Sequence, residues 1–362
     1  MIRTFRAPGR VNLIGEHTDY NGGFVFPAAL NLFCDARAEP AADGKLVARS
    51  RNLGEQRSWG IADLPDAQPR GDWSDYVAGV AVELARLGVK LVAARLEIDS
   101  TVPIGSGLSS SASLEVSVGM ALASLAGAQV PLKELALACQ RAENNFVGMK
   151  CGIMDQFVSV FGEAGHAILM DCRSLGHKAV PVPSGLQLLV VNSMVKHELA
   201  SSEYNTRRRE CEQAVEILGK PLRDITAEEW PPLEGRLPEI LRRRARHVVT
   251  ENARVLGFVE ACRRNDAAKM GQLMAESHRS LREDYQVSCE ELDFLVKTAA
   301  AREGVAGARM TGGGFGGCTV NLVRSEAMES FREAVACAYK ERFGLTPETY
   351  ACQTADGARE LS

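Results

Sequence analysis

Apolar positions in the first hundred residues come in short runs, each broken by Gly, Pro or Asn. Residues 10–14, 24–26, 29–36 and 45–49 read as strands, and 92–98 as a cleaner one. Residues 79–87, beyond Trp73 and Tyr76, read as a helix. A Gly/Ser loop at 103–111 then runs into an apolar helix over about 113–125. Pro131 opens another helix, 132–146, because a proline suits a first helical turn. A turn at 148–154 leads into a short helix at 155–161 and a strand at 167–171.

Pro181, Pro183, Ser184 and Gly185 interrupt any regular element, which sets a domain boundary between 1–180 and 181–362. The second half opens on a buried strand, 186–192, followed by helices at 202–218, 246–263, 267–283 and 290–302. A strand at 307–310, a glycine loop, a strand at 318–323, a helix at 326–343 and a strand at 349–354 complete it. That order predicts an α+β domain with helices on one sheet face.

The 362-residue length fits two domains and a core that needs no covalent staples. Apolar residues make up 46% and charged residues 24%, an ordinary globular mixture. A net charge of −4 gives no field to gather nucleic acid or an anionic membrane, so neither is expected as a partner. The basic runs 207–209 and 242–246 read as solvated helix faces. The ten cysteines contain no CxxC pair, which excludes zinc ribbons and thioredoxin-like chemistry and predicts buried free thiols. MIRTFRAPGR has no apolar signal core, and no apolar run reaches the ~20 residues of a membrane span, so a cytoplasmic protein is expected.

Three motifs carry the candidate chemistry. GRVNLIGEHTDYN, residues 9–21, packs Arg10, Glu16, His17 and Asp19 around one strand and turn. Carboxylates accept from sugar hydroxyls while His and Arg donate, so the set fits a sugar clamp; a charged surface turn stays open as the alternative. PIGSGLSSSAS, residues 103–113, lacks the Lys of a Walker A loop. Its glycines let backbone N–H groups come close to phosphate, and it enters a helix N-terminus that favours anions. Hydroxyls of Ser109, Ser110 and Ser111 add donors or a Mg²⁺ ligand.

MTGGGFGGC, residues 310–318, contains a G-x-G-x-x-G match at Gly312, Gly314 and Gly317. A dinucleotide fingerprint must follow a strand and open a helix, and here a strand follows instead. A glycine loop between two strands that approaches a ligand is therefore expected. Glu143 and Asp155 lie between the second and third motifs. They could serve as a Mg²⁺ ligand and a carboxylate near an acceptor hydroxyl, or lie on the surface.

The three motifs, in this order, resemble the GHMP kinases, and GRVNLIGEHTDYNGG resembles the galactokinase branch. The resemblance continues through CGIMDQF, HELASSEYNTRRREC, HVVTENARV and SHRSLREDYQVSCEELD, covering nearly the whole chain. It implies a two-lobed α+β fold, with an N-terminal ribosomal-S5-like domain and a C-terminal ferredoxin-like domain. It implies ATP-dependent phosphorylation of galactose with Mg²⁺, by a monomer. Arg10 and Asp155 match the catalytic pair, and Glu16, His17, Asp19, Gly152 and Tyr204 the sugar contacts. Gly105, Ser106, Gly107, Leu108, Ser109, Ser110, Ser111 and Ala112 match the nucleotide loop. Trp73 matches an aromatic near adenine, and Ser111 and Glu143 match the metal ligands.

Lys196 stands where some relatives carry Arg, and it cannot make the two-pronged contact of a guanidinium. Alternatives are a kinase for a related sugar, such as N-acetylgalactosamine or arabinose, and a non-catalytic sensor of sugar and ATP. The complete SSSAS run, with Arg10 and Asp155 both present, argues against the sensor.

Overall fold

The computed structural model describes residues 1–196 and 200–361; the side chains of residues 196–201, that of Lys196 among them, lie outside the described set. The strands of the first half are β1 (Arg3–Asn12), β2 (Phe24–Val25), β3 (Pro27–Pro40), β4 (Lys45–Ser50), β5 (Glu55–Gly60), β6 (Ala94–Ser100), β7 (His166–Asp171) and β8 (His177–Pro181). The second half supplies β9 (Leu186–Lys196), β10 (Val305–Thr311), β11 (Gly316–Arg324), β12 (Glu348–Cys352) and β13 (Arg359–Leu361). Among the described residues ten α-helices accompany them: α1 (Ser74–Arg86), α2 (Ser110–Leu125), α3 (Leu132–Arg141), α4 (Met154–Phe161), α5 (Ala200–Leu218), α6 (Trp230–Glu234), α7 (Glu239–Arg263), α8 (Ala267–Ser280), α9 (Glu290–Ala300) and α10 (Met328–Phe343).

The first lobe is built on a six-stranded sheet in the order β13-β1-β3-β6-β4-β5, in which only β4 and β6 run parallel. Phe5, Leu46 and Leu96 on its strands pack against Val77, Val116, Leu122 and Phe157 on the helices. The second lobe carries a four-stranded antiparallel sheet, β10-β11-β9-β12. Leu189 and Val323 of that sheet meet Leu295 of α9 and Phe331 of α10.

A further apolar cluster joins the lobes. Val11, Leu13 and Phe26 from the first half pack with Val190, Val255, Phe258 and Val320 from the second. The cleft therefore sits on shared core rather than on a polar hinge, and its walls are held in register by packing.

β1 shows how the fold aims a functional residue. Its pairing with β3 slips between Pro8 and Arg10, a bulge that re-aims the next side chain. Gly9 has to be glycine there, because a Cβ would stand 2.6 Å from the Leu108 carbonyl oxygen. The same carbonyl accepts the Arg10 N–H at 3.1 Å, which fastens the first motif to the second.

Several elements differ from expectation. α1 starts at Ser74 rather than 79, because the Asp72 carboxylate accepts from both the N–H and the hydroxyl of Ser74. β5 (EQRSWG) escapes a pattern search because it is a polar edge strand with one buried side chain, Trp59. β13 has three residues and exists only through pairing with β1. The basic runs are not simply solvated. Arg207 is buried and donates to the Tyr285 and Gln286 carbonyls, and Arg244 is buried against Glu210 at 2.7 Å. The glycine loop of the third motif joins β10 to β11 as a hairpin, with no helix after it.

Two helical glycines make a contrast. An added Cβ on Gly271 in α8 would meet the Ala306 carbonyl oxygen of the strand beneath at 1.8 Å, whereas on Gly257 in α7 it makes ordinary contact with Leu273 at 3.5 Å. In urea unfolding, Gly257→Ala is expected to gain up to ~1 kcal/mol from helix propensity. Gly271→Ala is expected to lose about 1–3 kcal/mol by overpacking. A stability gain in Gly271→Ala would contradict this packing.

Candidate active site

The predicted site residues converge on one cavity of about 570 Å³. Arg10, Glu16, His17, Asp19, Glu143, Asp155 and Tyr204 line it, together with Trp73, Gly105, Gly107 and Ser109 to Ser111 of the second motif. Gly312 to Gly314 of the third motif complete the wall. The predicted residues Ser106, Leu108, Ala112 and Gly152 are buried and do not line it.

Arg10 and Asp155 form a two-pronged ion pair, Nε to Oδ1 at 2.8 Å and Nη2 to Oδ2 at 2.9 Å. The remaining arm of Arg10 donates to the Gly107 carbonyl at 2.5 Å, and the Ser109 hydroxyl donates to Asp155 Oδ2 at 2.7 Å. Charge-assisted paired bonds of this kind fix orientation as well as distance. Asp155 sits in the first turn of α4, and Ser109 takes a left-handed backbone, φ 61°, at the entry to α2. Strand, serine–glycine loop and helix therefore meet at one carboxylate.

The acids of the first motif divide in function. Glu16 is buried and accepts from the Gly312 N–H at 2.8 Å, the Thr311 hydroxyl at 2.9 Å and Asn12 Nδ2 at 3.1 Å. Its carboxylate thereby ties the first motif to the third. Asp19 faces Gly152 so closely that a Cβ on Gly152 would lie 2.0 Å from Asp19 Oδ2. Burial, and then the charge of Asp155, push Asp19 up to about 7. His17 has φ 61° and lies among Tyr20, Tyr204 and Tyr285, with ring centroids 4.7–5.8 Å away. Its Nδ1 is 2.8 Å from the Tyr20 hydroxyl, and its Nε2 is buried without a hydrogen-bond partner among the described residues. Burial, and then the charges of His247 and Arg207, hold the ring neutral by lowering its pKa well below the usual value.

On the opposite wall, Glu143 occupies a π-helical turn, Ala142–Val147, that continues α3. It lines the same cavity wall as Ser111, and burial followed by the Asp155 charge pushes it up to about 7. One hydroxyl and one carboxylate side by side suit Mg²⁺, which characteristically takes one or two carboxylates and completes its shell with phosphate and water.

Sequence reasoning missed the grip that α7 exerts on the first motif. His247 Nε2 donates to the Glu16 carbonyl at 3.1 Å, Glu251 accepts the Gly15 N–H at 3.0 Å, and Asn252 accepts the Phe24 N–H at 2.8 Å. Burial opposes the charge on Glu251, but Arg254, His247 and Arg309 bring it down to about 2. The signal was present: His247 and Glu251 are four apart in HVVTENARV, on one helix face.

Comparison with known proteins gives matches over the same segments. Residues 3–39 match the galactokinase galactose-binding signature, 75–163 the GHMP kinases N terminal domain and 258–341 the GHMP kinases C terminal domain. The chain is 46% identical over 358 residues to a galactokinase of Roseiflexus sp. (97% of this chain, 91% of that one). It is 42% identical to a galactokinase of Thermotoga neapolitana (98% and 99%). The crystal structure of Lactococcus lactis galactokinase complexed with galactose superposes with a TM-score of 0.95 at 38% identity, over 99% of this chain and 95% of that one. The Methanococcus jannaschii mevalonate kinase, at 18% identity and a TM-score of 0.70, shares the fold over 98% of each chain.

Two outcomes follow from the Asp19 environment. Gly152→Ala should force Asp19 aside and raise the galactose KM about tenfold or more, with the ATP KM little changed; an unchanged galactose KM would count against the contact. The second concerns pH. Asp19 keeps a proton in the folded protein that the unfolded chain releases at its ordinary value of 3.8, so its contribution to stability falls as pH rises toward 7. Between about pH 5 and about pH 7.5 the unliganded wild type should lose more Tm than Asp19→Asn. Parallel Tm–pH curves would contradict the assignment.

Proposed function

The chain belongs to the galactokinases within the GHMP kinases, and we infer that it transfers the γ-phosphoryl group of ATP to the C1 hydroxyl of α-D-galactose, with Asp155 and Arg10 at the point of transfer. Galactose 1-phosphate and ADP are the products. The observation that carries this reading is the paired ion contact between Arg10 and Asp155, since it sits where the sugar motif and the phosphate loop share one cavity.

Asp155 is the acceptor for the anomeric proton. A carboxylate offers about four acceptor positions. Arg10 fills two and Ser109 a third, which leaves one directed to a substrate hydroxyl. Phosphoryl transfer passes through a loose transition state, so proton removal comes late and positioning carries much of the rate. Arg10 serves both needs, by orienting Asp155 and by placing positive charge beside the transferring group.

Asp19, His17, Tyr204, Glu16 and the backbone at Gly152 form the sugar end. His17 Nε2, buried and unpartnered, is placed to bond a ring hydroxyl. Glu16 is engaged mainly by Thr311 and Gly312, so its main work is to close the third motif over the sugar. The nucleotide lies along residues 105–112, with its phosphates at the N-terminus of α2. Trp73, Leu53 and Ile104, apolar parts of the same cavity, offer an adenine-facing wall. Ser111 and Glu143 would hold Mg²⁺, which supplies charge neutralisation on the phosphates when bound. All ten cysteines are free, which fits a reducing cytoplasm.

Asp155→Asn keeps the shape and removes the base. It is expected to lower kcat by more than ~100-fold in a coupled ADP-release assay, while galactose and ATP still bind. Near-normal turnover would overturn the role of Asp155. The same assay over a sugar panel is expected to favour galactose over arabinose and N-acetylgalactosamine; a preference for either of those would replace galactose as the substrate.

A further inference from the structure

Behind the cavity wall lies a buried polar chain that the reaction scheme does not use. Gln156 follows Asp155 on α4 and is fully buried. Its side-chain nitrogen donates to Glu143 Oε2 at 2.6 Å and to Glu115 Oε2 at 2.9 Å. Glu115 belongs to α2, one turn after Ser111, so the two share a helix face. Glu115 is also fully buried, and one oxygen each of Glu115 and Gln156 has no hydrogen-bond partner among the described residues.

The arrangement is specific in three ways. An amide nitrogen held between two carboxylates cannot flip, because its oxygen would then face both of them. Glu143 is thereby gripped from one side, and it shares the cavity wall with Ser111. Glu115, in turn, leaves the amide nitrogen only one direction in which to place its other hydrogen. Burial, and then the charge of Glu143, push Glu115 well above the usual carboxylate range, which fits an acceptor that need not be charged. A purely apolar filling would pack the site at lower desolvation cost, so a polar chain here calls for a role.

We propose that Gln156 and Glu115 are positioning residues for the metal carboxylate: Gln156 fixes Glu143 beside Ser111, and Glu115 fixes Gln156. Because Gln156 and Asp155 are consecutive on α4, the same helix turn sets both the base and the metal ligand. The proposal rests on Ser111 and Glu143 as the Mg²⁺ ligands.

The test is Mn²⁺ titration by electron paramagnetic resonance, on the full-length protein with saturating ADP and galactose, beside galactose affinity measured calorimetrically without metal. Gln156→Met, which keeps volume, and Gln156→Asn, which keeps the amide but shortens its reach, should weaken Mn²⁺ binding about tenfold or more. Galactose affinity should stay within about twofold. Glu115→Leu should follow them, whereas Glu115→Gln, which still offers an oxygen to Gln156, should restore Mn²⁺ affinity to within about threefold of wild type. Unchanged Mn²⁺ affinity in both Gln156 variants, or losses of metal and sugar affinity in proportion, would overturn the proposal. Glu143→Gln separates the two levels. If it abolishes Mn²⁺ binding while the Gln156 variants do not weaken it, only the positioning role fails; if Glu143→Gln binds Mn²⁺ normally, the metal assignment falls and the positioning role with it.

Discussion

Arg10 leaves the bulge of β1 and closes on Asp155 through two parallel hydrogen bonds, and its third arm holds the carbonyl of Gly107. A buried guanidinium is costly unless its donors are matched, and the donors of Arg10 are matched by groups on two other segments of the chain. Removing either partner would leave an uncompensated charge in the cleft, at a cost below the ~3–5 kcal/mol of a fully buried pair because Asp155 is partly open to the cavity. The ion pair thus acts as the joint at which the first-motif strand, the serine–glycine loop and helix α4 are held in fixed relation.

The remaining polar contacts extend that joint outward. Glu16 links the first motif to the third, α7 holds the backbone of the first motif through His247, Glu251 and Asn252, and Gln156 reaches from α4 to Glu143. Each is a buried group with a defined partner, and together they leave few soft torsions in the first motif. Rigidity of that kind suits phosphoryl transfer, where geometry and charge placement carry most of the rate. The raised values at Asp19 and Glu143 come first from burial and then from the Asp155 charge beside them.

How much of this was legible depends on how local each feature is. The turn carrying Glu16, His17 and Asp19, and the serine loop, are contiguous, so residue type and spacing were enough to suggest sugar and phosphate chemistry. The failed dinucleotide reading of Gly312–Gly317 was also decidable, because β11 follows the loop where a helix would be needed. The Arg10–Asp155 pair spans 145 residues, and only the resemblance to a known family connected its halves. Glu115 sits in a segment that reads as an apolar helix and Gln156 in one that reads as a short helix, so nothing local marked them as functional. Arg207 and Arg244 were misread for a related reason: a basic run gives no sign of which member points inward. Residues such as Gly152 carry information only through what a Cβ would strike, and that depends on Asp19 being placed by another part of the chain.

The most direct test of this joint is a crystal structure of the protein with galactose, Mg²⁺ and a non-hydrolysable ATP analogue. The anomeric oxygen should lie about 2.6–3.2 Å from the Asp155 carboxylate, with Arg10 still paired to it and the terminal phosphate facing that oxygen from the serine loop. A sugar ring bound with C1 turned away from Asp155, or an ion pair broken open when both substrates are present, would contradict the account.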